Sequence, residues 1–191
     1  LRGRVEKGKS GGGLCFGYDV VRRFSSEGEP VHGERSINAA EAEVIRQVFR
    51  QFANGLSPHA IACRLNDSGI SAPTGKLWTS TTIRGHVKRG TGLLNNELYI
   101  GKLVWNRLRY LKNPQTGKRV SRINPKSEWI VTEVPDLRIV DEELWQAVKA
   151  RQENIAIQYA DGIAATRSAQ TALNRTHRPK SLLSGLVYCG C

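Results

Sequence analysis

The sequence predicts an α+β protein with a helix-turn-helix core of winged-helix type, small β-hairpins and a C-terminal helix. Three observations lead to this fold class. Apolar residues recur at helical spacing in three consecutive segments between residues 38 and 87. Short β-compatible runs, separated by turn residues, follow between residues 99 and 131. A segment with an acidic start, from Asp141 to Ile155, then returns to helical periodicity.

The two clearest helices follow each other closely in the sequence. The first begins after Asn38, a residue type that caps helix N-termini, and Glu41 three positions later completes a capping-box arrangement. Asn54-Gly55 ends it. Ser57-Pro58 then supplies the N-cap and first position of the second helix. The residues predicted to face the core are Val44, Ile45, Val48, Phe49, Phe52, Ile61, Ala62 and Leu65.

A third helix is predicted after Trp78. Thr79 or Ser80 would cap it, and Ile83 and Val87 would face the core. Three helices of this length around one apolar cluster are typical of a helix-turn-helix core.

The segment after Gly92 changes to β-compatible patterning. Turn residues at Asn113–Gly117 separate two of its runs, so the segment predicts a wing or a small sheet. The four predicted strands are Tyr99–Trp105, Arg107–Leu111, Val120–Ile123 and Trp129–Val131. A smaller hairpin is expected upstream, with one strand from Phe16 and a return near Val31. The last predicted helix is capped by Asp141, and its apolar side carries Leu144, Trp145, Val148 and Ile155.

The two ends of the sequence differ in character from its middle. Residues 1–9 are compatible with a helix, which the glycine run at 11–13 would stop. Residues 161–181 are polar and unpatterned and predict a linker, whereas residues 182–191 are apolar again. Because the first residue is Leu1 and not Met, we expect the chain to be part of a longer polypeptide.

Charge is the main clue to function. Between Lys76 and Lys126 there are twelve Lys or Arg residues and a single acid, Glu97, so this stretch carries +11 of the net +12. Solvated protein surfaces usually mix both signs, and such an excess predicts a surface for a polyanion, here double-stranded DNA. No apolar run is long enough to span a membrane and no signal segment is visible, so a cytoplasmic protein without a membrane partner is expected.

The third helix is the expected reading element, because the second helix of a helix-turn-helix enters the major groove. Arg84 is a candidate for a bidentate pair with guanine, and Thr82 for contact with a thymine methyl group. The polar candidates on or near this helix are Thr79, Ser80, Thr82, Arg84, His86, Lys88 and Arg89. The candidates for phosphate contacts are Lys88, Arg89, Arg107, Arg109, Lys118 and Arg119.

The N-terminal segment formally matches a nucleotide-binding P-loop, since residues 3–10 read Gly-Arg-Val-Glu-Lys-Gly-Lys-Ser. A P-loop needs a preceding strand and a following helix, and the sequence predicts neither. A basic, glycine-rich arm that follows the backbone or minor groove of DNA is the preferred interpretation. Its candidate contacts are Lys9, Ser10, Gly11 and Gly12.

Catalytic and metal-binding patterns are weak. The four histidines are scattered and no nucleophile is paired with a base, so we predict no catalytic residue in this chain. Cys189 and Cys191 are poorly spaced for a zinc knuckle. We therefore expect no cofactor here, and a role for Cys189 in zinc binding only in a longer chain.

Six segments, in this order, resemble the large serine recombinases, a family that includes phage integrases and transposon recombinases. The segments are K-S-G-G-G-L-C-F-G-Y-D, A-E-V-I-R-Q-V-F-R-Q-F-A-N-G, I-A-C-R-L-N-D-S-G-I, W-T-S-T-T-I-R, N-N-E-L-Y-I-G-K-L-V-W-N and L-L-S-G-L-V-Y-C-G-C. The resemblance implies that residues 1–13 end a long helix and form the basic arm, that 14–160 are the DNA-binding domain, and that 161–181 link it to a zinc ribbon beginning at 182–191.

The resemblance also implies a function for the longer protein. It would cut DNA through phosphoserine linkages, as a dimer on each site and a tetramer in synapsis, without ATP. Its catalytic domain would precede Leu1, so this chain would recognise attachment-site DNA and position that domain.

A winged-helix transcriptional regulator without enzymatic activity is the main alternative. A basic RNA-binding protein is a third, although the aromatic residues are not clustered as RNA stacking requires.

Overall fold

The computed structural model describes residues 1–160, and within them the α+β fold class is confirmed. The segments at 161–181 and 182–191, including Cys189, lie outside the described residues. The helices are α1 (Arg2–Glu6), α2 (Ala39–Ala53), α3 (Pro58–Asp67), α4 (Ser80–Arg84) and α5 (Glu142–Gln158). The strands are β1 (Tyr18–Val20), β2 (Arg23–Phe24), β3 (Pro30–Val31), β4 (Arg35–Ile37), β5 (Lys102–Trp105), β6 (Leu108–Lys112), β7 (Arg119–Ile123) and β8 (Ile130–Glu133).

The strands form two nested pairs of antiparallel ladders. β1 pairs with β4 and the shorter β2–β3 hairpin lies between them in the sequence; likewise β5 pairs with β8, and the β6–β7 hairpin is inserted between those two strands. The predicted upstream hairpin is thus present. Its main return strand is β4, later in the sequence than the expected return near Val31.

The predicted N-caps of three helices are confirmed. The side chains of Asn38, Ser57 and Asp141 accept hydrogen bonds from backbone amides at 3.1, 3.1 and 2.7 Å. The capping box is only half formed, because the Glu41 carboxylate accepts from the amide of Gly17 at 2.6 Å and not from that of Asn38. Glu41 therefore ties α2 to the segment before β1.

The core lies where α2 and α3 meet the segment around Tyr99. Phe49 packs edge-on against Tyr99 and stacks on Trp145 of α5, with ring centroids 6.1 and 5.8 Å apart. The hydroxyl of Tyr99 donates to the carbonyl of Phe16 at 3.1 Å. The residues predicted to face the core from α2 and α3 all lie in this cluster or pack against it.

Two predicted boundaries are wrong. The third helix was expected to bury Val87, but α4 ends at Arg84 and Val87 is 59% exposed. The first strand of the second group was expected from Tyr99; residues Glu97–Ile100 instead form a buried 3₁₀ turn, and β5 begins only after Gly101. In both cases a glycine with positive φ, 53° at Gly85 and 76° at Gly101, redirects the chain.

The chain divides into two compact units, residues 1–148 and 149–191. Of the second unit the structure describes only residues 149–160, which include the C-terminal half of α5. No helix among residues 1–160 is long and apolar enough to cross a membrane.

Candidate nucleic-acid interface

The segment that follows α4 is a closed turn with a glycine at each end, which we call the necked turn (residues 85–92). The amide of His86 donates to the carbonyl of Thr91 at 3.1 Å, and the amide of Thr91 donates back at 3.3 Å. A Cβ atom at Gly85 would overlap the Thr91 carbonyl oxygen, and one at Gly92 would lie 2.5 Å from the Gly85 Cα. Only glycines allow the two backbones this close.

A buried asparagine holds the neck of this turn together. The Nδ2 group of Asn95 donates to the carbonyl of Arg84 at 2.7 Å and to that of Thr91 at 2.8 Å. Asn95 is 3% exposed, so the donor of both bonds is buried. The necked turn therefore has a fixed base, while the side chains of Val87, Lys88 and Arg89 at its tip are exposed.

Two adjoining clefts open beside the necked turn. The first cleft, of about 370 Å³, is lined by Ser10, Gly11, Gly12, Cys15, Arg35, Arg89, Gly90, Asn96, Glu97, Leu98, Lys102, Leu103, Val104, Trp105 and Arg107. The second cleft, of about 610 Å³, is lined by Cys15, Phe16, Pro73, Thr81, Thr82, Arg84, Gly85, His86, Gly90, Thr91, Gly92, Leu93, Asn96 and Tyr99. Cys15, Gly90 and Asn96 border both clefts.

The first cleft has a strongly positive lining. Four cations contribute to it, and Glu97 is its one acidic lining residue. Glu97 is already paired, since its Oε2 lies 3.0 Å from Nη2 of Arg107. Arg35 donates to the carbonyl of Gly13 at 2.9 Å, which places its guanidinium at the glycine run. The remaining positive charge of Arg35, Arg89 and Lys102 suits an anionic ligand.

Arg107 is the least exposed of the predicted phosphate contacts. Its side chain is 13% exposed, and its guanidinium lies 4.7 Å from the ring centre of Trp129. Gly90 of the necked turn packs directly against the same guanidinium. Arg107 thus connects the necked turn, the Glu97 segment and the start of the β6–β7 hairpin, besides lining the first cleft.

The glycine-rich arm is tied to the domain. The amide of Ser10 donates to the carbonyl of Gly33 at 2.7 Å, and its hydroxyl lies 3.1 Å from the amide of Gly12. Gly11 passes so close to the Trp105 indole that a Cβ would lie 3.0 Å from its nitrogen. Residues Arg2–Glu6 are helical, so the P-loop pattern does not form a phosphate-binding loop.

The β6–β7 hairpin carries the remaining predicted contacts. Arg109, Lys118 and Arg119 are all exposed on it. The Asn113 side chain accepts from the amides of Gln115 and Thr116 at 2.9 and 3.4 Å, which confirms the predicted turn.

Cys15, at the junction of the clefts, is a packing residue. Burial raises the pKa of its thiol, and a hydrogen bond from Asn96 Nδ2 to Sγ at 3.1 Å offsets this only in part. A thiol with a raised pKa stays protonated at neutral pH and is a poor nucleophile. Burial likewise raises the pKa of Tyr99 well above its ordinary range, so its hydroxyl remains a hydrogen-bond donor.

The structure brings together about half of the predicted site residues. The predicted residues that line the two clefts are Ser10, Gly11, Gly12, Thr82, Arg84, His86, Arg89 and Arg107. Those outside them are Lys9, Thr79, Ser80, Lys88, Arg109, Lys118 and Arg119, and Lys9 pairs with Glu34 at 3.1 Å. Sequence reasoning missed Arg35, because it lies far from the basic stretch and only the fold brings it to the arm.

Comparison with known proteins assigns the family. The Recombinase family model matches residues 39–154, which contain α2–α4, the necked turn, the nested β5–β8 strands and most of α5. No curated protein matches the chain. The match covers more than half of the sequence and agrees with the ordered segments quoted above; the chain therefore belongs to the Recombinase family, the central domain of serine recombinases.

Proposed function

We propose that this chain is the DNA-recognition part of a site-specific serine recombinase. It binds attachment-site duplex DNA and positions a separate N-terminal catalytic domain for strand exchange. The observation that carries the proposal is the convergence of the glycine-rich arm, β5, and α4 with the necked turn on two adjoining clefts, of which the first has a strongly basic lining and the second is lined by Arg84 and His86.

Recognition of base edges is assigned to α4 and the first half of the necked turn. Arg84 and His86 are exposed at the edge of the second cleft, and Thr82 is half-buried beside them. Because α4 has only five residues, a groove that receives it also meets the necked turn. Arginine and threonine are suited to guanine and to the thymine methyl group respectively.

Phosphate contacts are assigned to the cations around this reading element. Lys88 and Arg89 are exposed at the tip of the necked turn, and Arg35 and Lys102 line the first cleft. Contacts of this type fix the register of the protein on the duplex without reading sequence.

The positioning role is assigned to α1 and the arm. Val5 of α1 is fully buried. The Thr132 hydroxyl of β8 donates a hydrogen bond to the Val5 carbonyl at 3.0 Å. A domain joined through α1 would therefore be held in a defined direction relative to the strands that carry the basic surface.

Titration of the protein with a fluorescent DNA duplex at 50 and 200 mM salt tests the DNA-binding proposal. For about six to ten phosphate contacts, affinity falls by roughly three to five powers of ten between these concentrations. Duplex RNA of the same length and charge is the matched control and is expected to bind more weakly. A salt-independent affinity, or equal affinity for RNA, contradicts the proposal.

A further inference from the structure

The β6–β7 hairpin pairs like charges across its two strands. In its register Arg109 lies opposite Arg122, and Lys112 lies opposite Arg119. All four side chains are exposed. Side chains directly opposite each other in an antiparallel ladder are close neighbours, and like charges in such pairs destabilise the strand pairing.

The rest of the hairpin supplies no counter-charge. There is no acidic residue from position 98 to position 127. Among residues 1–160, no ion pair with an acidic side chain involves any of these four cations. Arg119 does make a favourable cation–π contact, since its guanidinium lies 4.3 Å from the ring centre of Tyr110. A two-stranded ribbon is only marginally stable by itself, so the repulsion matters.

Both ends of the hairpin are nevertheless fixed. At its tip, the Asn113 side chain organises the turn. At its base, Asn124 is buried, its Nδ2 donates to the carbonyl of Asn106 at 2.8 Å, and its own carbonyl accepts from the Trp129 indole at 2.9 Å. The like-charge pairs lie between these two fixed ends. The base therefore sets the direction of the hairpin, while the paired cations between the ends have no counter-charge.

Arg109 and Lys112 are three positions apart in β6, so the two like-charge pairs lie on opposite faces of the ribbon. A polyanion that flanks the ribbon on both faces would compensate both pairs. The major groove of a DNA duplex admits a two-stranded β-ribbon, and its phosphates line both edges of that groove. Two further residues on the hairpin, Tyr110 and Leu111, are 55% and 49% exposed and are available to contact sugars and bases.

We propose that the β6–β7 hairpin is a second DNA-binding element whose strand pairing is stabilised by the duplex itself, because DNA phosphates supply the counter-charges that Arg109, Arg122, Lys112 and Arg119 lack. The inference rests on the proposed DNA-binding function. Coupling between two equilibria is reciprocal, so DNA that orders the hairpin is in turn bound more tightly by a protein whose hairpin is paired.

The test is hydrogen–deuterium exchange of the full chain, free and bound to duplex DNA, followed in peptides that cover residues 106–124. We expect fast exchange in the free protein and marked protection on duplex.

The variant Arg122→Glu places a carboxylate opposite Arg109. Its hairpin should be protected without DNA, while its affinity for duplex falls by about tenfold or more and its salt slope is reduced by at least about one. Arg22→Glu, the same charge change at an exposed residue outside the basic stretch, is the matched control and should leave the exchange of residues 106–124 unchanged.

Each outcome decides the question. Opposite effects of Arg122→Glu on hairpin protection and on DNA affinity support the inference, and Arg109→Glu repeats the measurement from the other strand should the first variant fail to fold. If the wild-type chain binds duplex but residues 106–124 exchange equally with and without it, the hairpin inference is overturned and the DNA-binding proposal survives. A wild-type chain that binds no duplex at any salt concentration overturns both.

Discussion

Among single residues, Asn95 joins two parts of the candidate interface. Its two hydrogen bonds join the last carbonyl of α4 to the far side of the necked turn. A second side-chain bond, from the His86 amide to the Thr91 hydroxyl at 3.2 Å, closes the same turn. Asn95 therefore helps to fix the end of α4 relative to Thr91.

Replacing Asn95 by Ala should destabilise the fold. The change removes two hydrogen bonds that the buried Asn95 side chain donates, and the free energy of unfolding should fall by about 1 to 3 kcal/mol. Thermal or urea denaturation measures the difference. Asn154→Ala, at an exposed position of α5, is the control and should leave stability nearly unchanged. An Asn95→Ala protein as stable as the wild type would show that these two hydrogen bonds do not stabilise the necked turn.

The two cysteines in the described part of the chain should react at different rates. Cys63 is exposed, whereas burial raises the pKa of the Cys15 thiol. Iodoacetamide at pH 8 should modify Cys63 quickly and Cys15 slowly, because the thiolate is the reacting form. Peptide mass spectrometry follows each site. Equal rates would contradict the burial of Cys15.

The pH dependence of stability at Cys15 has a definite sign. Its pKa is raised in the folded chain, so unfolding allows the thiol to ionise at its ordinary pKa. Its contribution to stability is therefore complete below that ordinary pKa and is lost as pH rises towards the folded value. Asn96, which donates to the sulfur, reduces the size of this effect but not its direction.

Sequence reasoning was most successful for single residues where the relevant physics is local. Asn38, Ser57 and Asp141 cap helices as predicted, because a cap involves only the next few residues of the chain. It missed Arg35, and it did not foresee that Arg107 is held by Glu97 and Trp129. These contacts join segments that are distant in sequence, and charge alone does not indicate them.

Among the elements, α4 and the necked turn together replace the single long helix that the sequence predicted. The apolar spacing of Ile83 and Val87 suggested one helix, but Gly85 ends α4 and turns the chain. The later residues His86, Lys88 and Arg89 therefore project from a turn. Periodicity cannot reveal this, because it does not report how closely two backbones approach at Gly85 and Gly92.

Arg84 and Arg89 should fail in different ways when each is replaced by Ala. Arg84 ends α4 at the second cleft, so its loss should cost about 1 to 3 kcal/mol on the cognate site and relax preference at one base pair. Arg89, at the tip of the necked turn, should weaken cognate and scrambled duplexes alike and lower the salt slope by about one.

Fluorescence titration of both variants on cognate and scrambled duplexes, at two salt concentrations, separates these effects. The two substitutions remove the same side chain and the same charge, so each is the control for the other. If Arg84→Ala weakens both duplexes equally, α4 is not the reading element, and the β6–β7 hairpin becomes the better candidate.

For the whole molecule, the described residues combine five α-helices with four two-stranded antiparallel ladders. The order of elements, the α+β class and the four later strands were predictable, because hydrophobic pattern and turn residues are local signals. The nesting of β6–β7 inside β5–β8 was not predicted, since the β5–β8 partners lie more than twenty residues apart in the sequence. Membership of the Recombinase family agrees with the resemblance seen in the sequence.

The chain by itself should neither cleave nor religate DNA, and it should hydrolyse no ATP. The P-loop pattern at residues 3–10 lies partly in α1, and no nucleophile is paired with a base in the sequence. Incubation of the purified protein with supercoiled plasmid, followed by gel electrophoresis, measures cleavage. A phosphate-release assay measures ATP turnover, with Lys9→Ala as the control. Turnover that disappears in Lys9→Ala would restore the nucleotide-binding interpretation.

The construction of the necked turn has a consequence for variation among related proteins. Its base is closed by backbone hydrogen bonds, two glycines and Asn95, whereas Val87, Lys88 and Arg89 contribute nothing to the core. The side chains of residues 86–89 can therefore be replaced without loss of core packing. A library randomised at these positions, with Gly85, Gly92 and Asn95 kept, should remain folded while its members differ in the DNA they prefer, so new target sites are accessible without rebuilding the scaffold.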